Sequence, residues 1–515
     1  MAGLPFAVPE ISDNADGWGP SSESIPPHLK DVPFAPFSKT DKLGKAADWT
    51  NTGYQKYSGR QAPVATVFTF FQNEEEDSFH VVDNRPVKTS KFQQRRVQQQ
   101  RFQQQRRERE QRDGERKKTT ERGGPQQRRG GFDFRRGQER QIQYTSSVDV
   151  KAEWAVKEQI AFSSLAKLSC SVGEPTDLGD YGSVEFYDKA FDKLTARQEK
   201  PLERTQRSFR SVTASDDPIL RKLAADGAGR VFVTDTALSA LMTAKSSVYS
   251  WDVVLTRVGD KLFIDKRDGG PLDLLSVNET APEQIPEDRD NMNGVQQLSL
   301  EATAVNQSLS QQLLLKDGNR HELGAANPFA GDEGEELASA GYRYRKWALG
   351  PGLDIVVRCE VNAALVTPKG EVQLASVKAL NEWNLKETDW RKKLDQSRAS
   401  MLLTEAKNNK AKVARWTVEA LLCGAEALKW GYVSRAGPRD NSNHVVLNVQ
   451  TSKPRDFAGQ IQLSMEHCWG TTRALVDMIL GMDEGKYLLM KDPNKELLRL
   501  YAVPADAFDA NYADE

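Results

Sequence analysis

Between about Ser147 and residue 503, hydrophobic and polar positions recur with enough regularity to assign elements. Asp217-Pro218-Ile219-Leu220-Arg221-Lys222-Leu223-Ala224 predicts a helix that starts on an Asp cap with Pro in its first turn. Ala237-Leu238-Ser239-Ala240-Leu241-Met242 predicts a second short helix. Val253 to Asp265 reads as two strands joined by a Gly259-Asp260 hairpin turn. Strands are expected at 353–360, 371–378, 444–450 and 486–491, the last two flanking a helix over 457–480. Val413 to Trp430, rich in Ala and Leu at helical spacing, is expected as one buried helix stopped by Gly431. Mixed helices and strands with neither a repeating strand-helix unit nor an internal repeat predict a mixed α/β (α+β) core over 147–503.

The flanks lack this texture. Residues 1–87 scatter Trp18, Phe34, Phe37, Trp49, Tyr54 and Phe79 among Pro, Gly, Ser and Asn. So few aliphatic side chains cannot offset backbone ordering, roughly 1–2 kcal/mol per residue, unless a partner supplies the other face. A disordered N-terminal extension that acts as a docking tail is expected, with its aromatics as anchors. Residues 88–146 form an arm rich in Arg, Gln and Gly, as in Gln94-Arg95-Arg96, Gln105-Arg106-Arg107 and Arg128-Arg129-Gly130-Gly131. Residues 504–515 are a short acidic tail.

Charge changes the picture more than composition does. The whole chain carries 71 basic and 73 acidic side chains, a net charge of -2. Between Lys88 and Arg140 there are 18 basic against 7 acidic, an excess of 11, so the remainder carries about 13 net negative charges. Such segregation points to a polyanion partner, RNA first, because each phosphate neutralised by Arg or Lys releases condensed counterions. A solvated linker kept extended by its own charge accounts for the same composition.

With 38% hydrophobic and 28% charged residues and no run approaching about 18 apolar residues, a soluble chain without membrane contact is expected. The N-terminus lacks the basic and apolar regions of a signal peptide, which predicts a cytoplasmic location. Cys170, Cys359, Cys423 and Cys468 lie too far apart for a thiolate zinc motif and read as reduced core residues. Neither a Gly-Lys-Ser/Thr phosphate loop, a Gly-x-Ser-x-Gly elbow nor a His-Glu-x-x-His helix occurs, and the five histidines form no pair at ligand spacing. No metal, no cofactor and no enzyme activity are expected.

The best catalytic candidate is Val357-Arg358-Cys359-Glu360-Val361-Asn362 on one strand with Ser376-Val377-Lys378 on the next. Residues two apart on a strand share a face, so Glu360 would point with Asn362, and Ser376 with Lys378. Two acidic strand motifs of this kind hold magnesium in phosphodiester cleavage, but Asn362 and Ser376 are neutral, which favours a polar binding surface over a nuclease centre. The stretch from Pro271 to Gln312 is long for a plain connection and reads as a functional loop or lid. Tyr342-Arg343-Tyr344-Arg345-Lys346-Trp347 offers aromatic and cationic groups suited to stacking a base, although most such side chains in a domain this size are core.

Several longer strings are less common. Gly17-Trp18-Gly19-Pro20, Pro36-Phe37-Ser38-Lys39, Ala47-Asp48-Trp49, Tyr187-Asp188-Lys189-Ala190-Phe191-Asp192, Ser247-Val248-Tyr249-Ser250-Trp251-Asp252, Ala414-Arg415-Trp416-Thr417 and Leu489-Met490-Lys491-Asp492-Pro493-Asn494-Lys495 resemble the d-subunit family of eukaryotic translation initiation factor 3 over almost the whole chain. The resemblance implies a fold similar to that of decapping exoribonucleases, with β-sheets flanked by helices, and a non-catalytic, cap-binding role in recruiting messenger RNA to the small ribosomal subunit. It implies an RNA gate at Pro271-Leu272-Asp273-Leu274-Leu275-Ser276-Val277-Asn278-Glu279-Thr280-Ala281-Pro282-Glu283-Gln284-Ile285. It also implies cap contacts at Val248 and Tyr249 in one helix and Thr303, Asn306 and Gln307 in another, Gln307 departing from the His of animal members. Partners implied are capped mRNA and neighbouring subunits, the e subunit first and the a and c subunits as further candidates. Trp18 and Trp49 are the expected docking anchors, and Arg95, Arg96, Arg106, Arg107, Arg128 and Arg129 the RNA arm.

Overall fold

A computed structural model describes residues 144–283, 285, 291–330 and 335–508. The docking tail with Trp18 and Trp49, the arm with its six named arginines, Gln284 of the expected gate and the acidic tail from residue 509 lie outside the described residues. Among the described residues the chain runs β1 (Ala155–Ala161), α1 (Phe162–Leu165), β2 (Thr176–Glu185), β3 (Lys200–Pro201), α2 (Pro218–Ala225), β4 (Val231–Thr234), α3 (Asp235–Met242), β5 (Asp252–Val258) and β6 (Lys261–Lys266). It continues through α4 (Val295–Gln312), β7 (Arg320–Glu322), β8 (Ala340–Gly350), β9 (Leu353–Val361), β10 (Ala363–Val366), β11 (Val372–Glu382), α5 (Trp390–Asn408) and α6 (Lys410–Cys423). The last elements are β12 (Ala427–Arg435), β13 (His444–Ser452), α7 (Pro454–Gln460), α8 (Met465–Leu480), β14 (Gly485–Lys491) and β15 (Leu497–Val503).

The expected mixed α/β architecture is present. One sheet has ten strands in the order β1-β15-β14-β5-β6-β4-β9-β8-β2-β7, the other five in the order β10-β11-β12-β13-β3. Pairing is antiparallel except where β4 meets β6 and β9, and where β11 meets β12. Helices fill the space between the sheets. Leu238 of α3 and Trp416, Val418 and Leu422 of α6 share one core with Val233, Ile264 and Val357 of the large sheet and Leu380, Leu428, Trp430 and Tyr432 of the small one. On the far face of the small sheet, Val305 and Leu309 of α4 pack on Val377, Ala379 and Val433. Beyond the large sheet, Leu220 of α2 packs on Phe232, Val356 and Tyr344.

Local chemistry explains the elements that the pattern predicts. Asp217 caps α2 by accepting from the Ile219 and Leu220 N–H groups at 2.8 and 3.1 Å, with Pro218 in the first turn. Gly259, at φ +61°, turns β5 into β6. All four cysteines are free and buried.

Two helix expectations need correction. Val413 to Trp430 is not one helix: α6 ends at Cys423, Gly424 caps it in the left-handed conformation at φ +71°, and Trp430 and Gly431 lie in the middle of β12. There Gly431 lets α4 approach, since a Cβ at that position would stand inside the Leu309 side chain. The helix expected over 457–480 is two, α7 and α8, separated where Gln462 takes φ +55° and Ser464 caps α8 through the His467 N–H. The stretch from 271 to 312 is also less of a loop than expected, because α4 occupies its second half.

Candidate nucleic-acid interface

Residues 271–283 lie against the fold through a series of specific bonds. Pro271–Asp273 forms a single 3-10 turn, and Lys266 pairs with Asp273. The Leu275 N–H donates to the Thr303 hydroxyl of α4 at 3.0 Å. Asn278, at φ +50°, donates its N–H to the Asn409 side chain at 2.9 Å, and the Thr280 N–H donates to the Asn408 carbonyl at 3.0 Å, both where α5 gives way to α6. Val277 and Ile285 are buried with Leu298 and Ala302 of α4. Asn409 in turn donates to the buried Glu405 carboxylate at 3.1 Å.

At the centre sits Glu279, only 6% exposed. Its Oε1 accepts from the Ser247 hydroxyl at 2.8 Å, the Val248 N–H at 2.7 Å and the Tyr249 N–H at 2.9 Å, while Oε2 accepts from the Ser276 hydroxyl at 2.7 Å. Val248 and Tyr249 are not helical as expected: a 3-10 turn ends at Ser246, Ser247 is extended, and the chain bends at Tyr249 before β5 begins at Asp252. That departure frees their N–H groups for an external acceptor. A cavity of about 410 Å³ opens beside them, lined by Tyr144, Tyr249, Trp251, Leu274, Glu279 and Arg415 among others.

The residues expected to contact the cap divide. Val248 and Tyr249 meet residues 276–279 directly, and Thr303 bonds to Leu275. The α4 side chains that line the cavity are instead Val295, Gln296 and Ser299, one to two turns before Thr303. Asn306 turns to the small sheet, accepting from the Ala379 N–H at 2.9 Å, and Gln307 is half-buried without lining the cavity. The aromatic run at 342–347 belongs to the core: Tyr342, Tyr344 and Trp347 are buried, and Arg343 and Arg345 donate to the Cys423 and Leu422 carbonyls at the end of α6.

Between the sheets lies a second polar cluster. The Lys378 ammonium meets Glu419 at 2.9 Å, Ser239 donates to the same carboxylate at 3.2 Å, and the Glu360 N–H donates to Asp235 at 2.8 Å. Burial, and then the neighbouring Glu419 carboxylate, push Asp235 up to about 7. Lys378 is held above its ordinary value because Glu419, Asp235 and Glu360 outweigh the opposing effect of burial. The expected pairing of Glu360 with Asn362 on one face fails: β9 ends at Val361, and Asn362 instead clamps β11, accepting from the Val377 N–H at 2.9 Å. Among the described residues no group of three or more His, Cys, Asp or Glu is arranged to hold a metal ion. Asp235 and Glu419 did not stand out in the sequence, although a lone acid within the apolar stripe of α6 is a signal that could have found Glu419.

These features define a two-sheet α/β protein with a pocket walled in part by one of its own connections. A family model described as eukaryotic translation initiation factor 3 subunit 7 matches residues 6–502, and the chain belongs to that family. It is similar to the D subunit of eukaryotic translation initiation factor 3 from Xenopus laevis, with 43% identity over 98% of this chain and 96% of the relative, and to that from Homo sapiens, with 42% identity over the same shares. Its role is therefore in translation initiation. Among solved structures, Candida albicans Rai1 in complex with pU5-Mn2+ matches 69% of this chain and 94% of its own at 11% identity and a TM-score of 0.41. S. pombe Rai1 matches 67% and 99% at 10% identity and the same score. Superpositions that loose say nothing about the site. Among the described residues no helix is long and apolar enough to cross a membrane.

Proposed function

We propose that this chain is the mRNA cap-binding subunit of the initiation factor 3 complex, supporting recruitment of selected messenger RNAs to the small ribosomal subunit in the cytoplasm, without catalysis of its own. The observation that carries the reading is the set of bonds from Leu275 and Glu279 to Thr303, Val248 and Tyr249: the segment expected to gate the site is bonded to three of the residues expected to read the cap. Closed in this way, residues 271–285 leave no backbone donor at 248 or 249 for a ligand. RNA entry then requires the segment to lift. The arm at 88–146 would hold RNA by phosphate contacts that carry no sequence information, and the tail at 1–87 would dock on neighbouring subunits through Trp18 and Trp49.

The test is crosslinking of capped RNA to the full chain, competed by cap analogue. Cap-sensitive crosslinking at Tyr249 or in α4 supports the reading; crosslinking confined to 88–146 and indifferent to cap analogue refutes it. A second reading, an active decapping or 5′-end exoribonuclease, draws on Asp235, Glu360 and Glu419 beside Lys378. Magnesium- or manganese-dependent release of cap or nucleotides, lost in Glu360→Gln, would establish it.

A further inference from the structure

Glu279 is a carboxylate buried in a segment whose other bonds to α4 and to the junction of α5 and α6 are made by neutral groups. Two successive backbone N–H groups and a hydroxyl converge on its Oε1, a cradle for an anion. Lys491, itself only 5% exposed, donates to the Val248 carbonyl at 2.5 Å behind the cradle and lies within electrostatic reach of Glu279. Arg415 lines the same cavity. The donors and the acceptor differ in how they are held: Ser247 to Tyr249 lead into a central strand, whereas Glu279 belongs to a connection between elements. Next to the cradle, Tyr249 meets Tyr144 edge to face at 5.5 Å, giving the cavity an aromatic wall.

We propose that the cradle of Ser247, Val248 and Tyr249 is a phosphate site, that Glu279 is its internal occupant, and that a 5′-phosphorylated nucleotide enters by displacing this carboxylate. The inference rests on reading the cavity as the site of an RNA 5′ end. A phosphate oxygen presents the same kind of acceptor to the three donors and carries more charge toward Lys491 and Arg415. Backbone donors recognise phosphate irrespective of base, so the cradle would fix the 5′ end while the aromatic wall faces the nucleoside. Glu279 therefore acts as an autoinhibitor specific to phosphate: a ligand's apparent affinity falls by the fraction of molecules in which the cradle is empty.

Calorimetric titration of the full chain, wild type against Glu279→Ala and Glu279→Gln, tests this with three probes: inorganic triphosphate, 7-methylguanosine and 7-methylguanosine triphosphate. In Glu279→Ala the two phosphate-bearing probes are expected to bind at least ~10-fold tighter than in wild type and the bare nucleoside less than ~3-fold tighter, the difference measuring the vacated cradle. Adding Ser247→Ala takes back part of that gain. Equal gains for nucleoside and triphosphate overturn the proposal, since they mean an opened cavity without a phosphate site. So does the absence of any gain for inorganic triphosphate in whichever variant keeps the wild-type thermal transition; Glu279→Gln, equal in volume, secures a folded variant. A gain for inorganic triphosphate with no binding of 7-methylguanosine in any variant upholds the cradle and sinks the cap reading instead.

Discussion

Thr280→Val asks whether residues 271–285 open independently of the core. The Thr280 hydroxyl donates to the Lys407 carbonyl at 2.6 Å and accepts from the Lys410 N–H at 3.0 Å, tying the segment to the junction of α5 and α6. Valine keeps the shape and loses both bonds. At about 0.5–1.5 kcal/mol net for each bond, their removal costs the closed arrangement ~2 kcal/mol. With ~1.4 kcal/mol per factor of ten, the open population rises ~30-fold. The closed form remains the major one, because the Asn278 bond to Asn409, the Thr280 N–H bond to Asn408 and the four bonds to Glu279 are untouched. Hydrogen exchange of amides 275–281, with the amides of β9 as internal reference, reads the change. Faster exchange at 275–281 with β9 unaltered is expected, the signature of local opening. Unaltered exchange at 275–281 would show that these bonds do not hold the segment. An equal acceleration in β9 would show that it opens only when the whole fold does.

Glu301 lies buried in α4, bonded to Arg435 at 2.8 and 2.5 Å and to His444 at 2.8 Å. Glu301→Gln leaves the fully buried guanidinium without its anion and should lower unfolding free energy by about 3–5 kcal/mol in urea titration, whereas a paired apolar replacement of both residues should cost less than that. Gly431→Ala forces a methyl into Leu309 and should cost about 1–3 kcal/mol by the same assay, and Leu309→Ala should cost less in that background than it does alone. Asp235, raised to about 7 when folded against an ordinary 3.8, contributes stability that is fully present below about pH 4 and lost as pH rises to about 7. The stability of wild type relative to Asp235→Asn should fall across that window and level off above it; a difference that stays constant with pH would show that folding leaves the Asp235 carboxyl at its ordinary value.

Signals that act over a few residues were legible in the sequence. Asp217 and Pro218 start α2 because cap and fixed φ act within one turn, and Gly259 turns β5 into β6 because a hairpin closes on its own neighbours. Aliphatic runs between turn signals placed β9, β11, β13 and β14, and the uncommon strings along the chain carried the family. What failed needed distant partners. Residues 427–431 satisfy a helical pattern as well as a buried strand, and pairing with β11 on one side and β13 on the other decides for the strand, leaving Gly424 to end the helix. Asn362 shares a face with Glu360 only if the strand continues, and it stops at Val361.

The candidate site shows the same division. Order along the chain was enough to tell which residues carry charge, which segment was long enough to cover a pocket and which strings belong to a translation initiation factor. Packing was needed to bring Glu279 to the N–H groups of Val248 and Tyr249, some thirty residues earlier in the chain, and to close Asp235 and Glu419 around Lys378. The physical reason is that a carboxylate is compatible with burial only where donors or cations converge on it, and that convergence is a property of packed elements rather than of spacing along the chain.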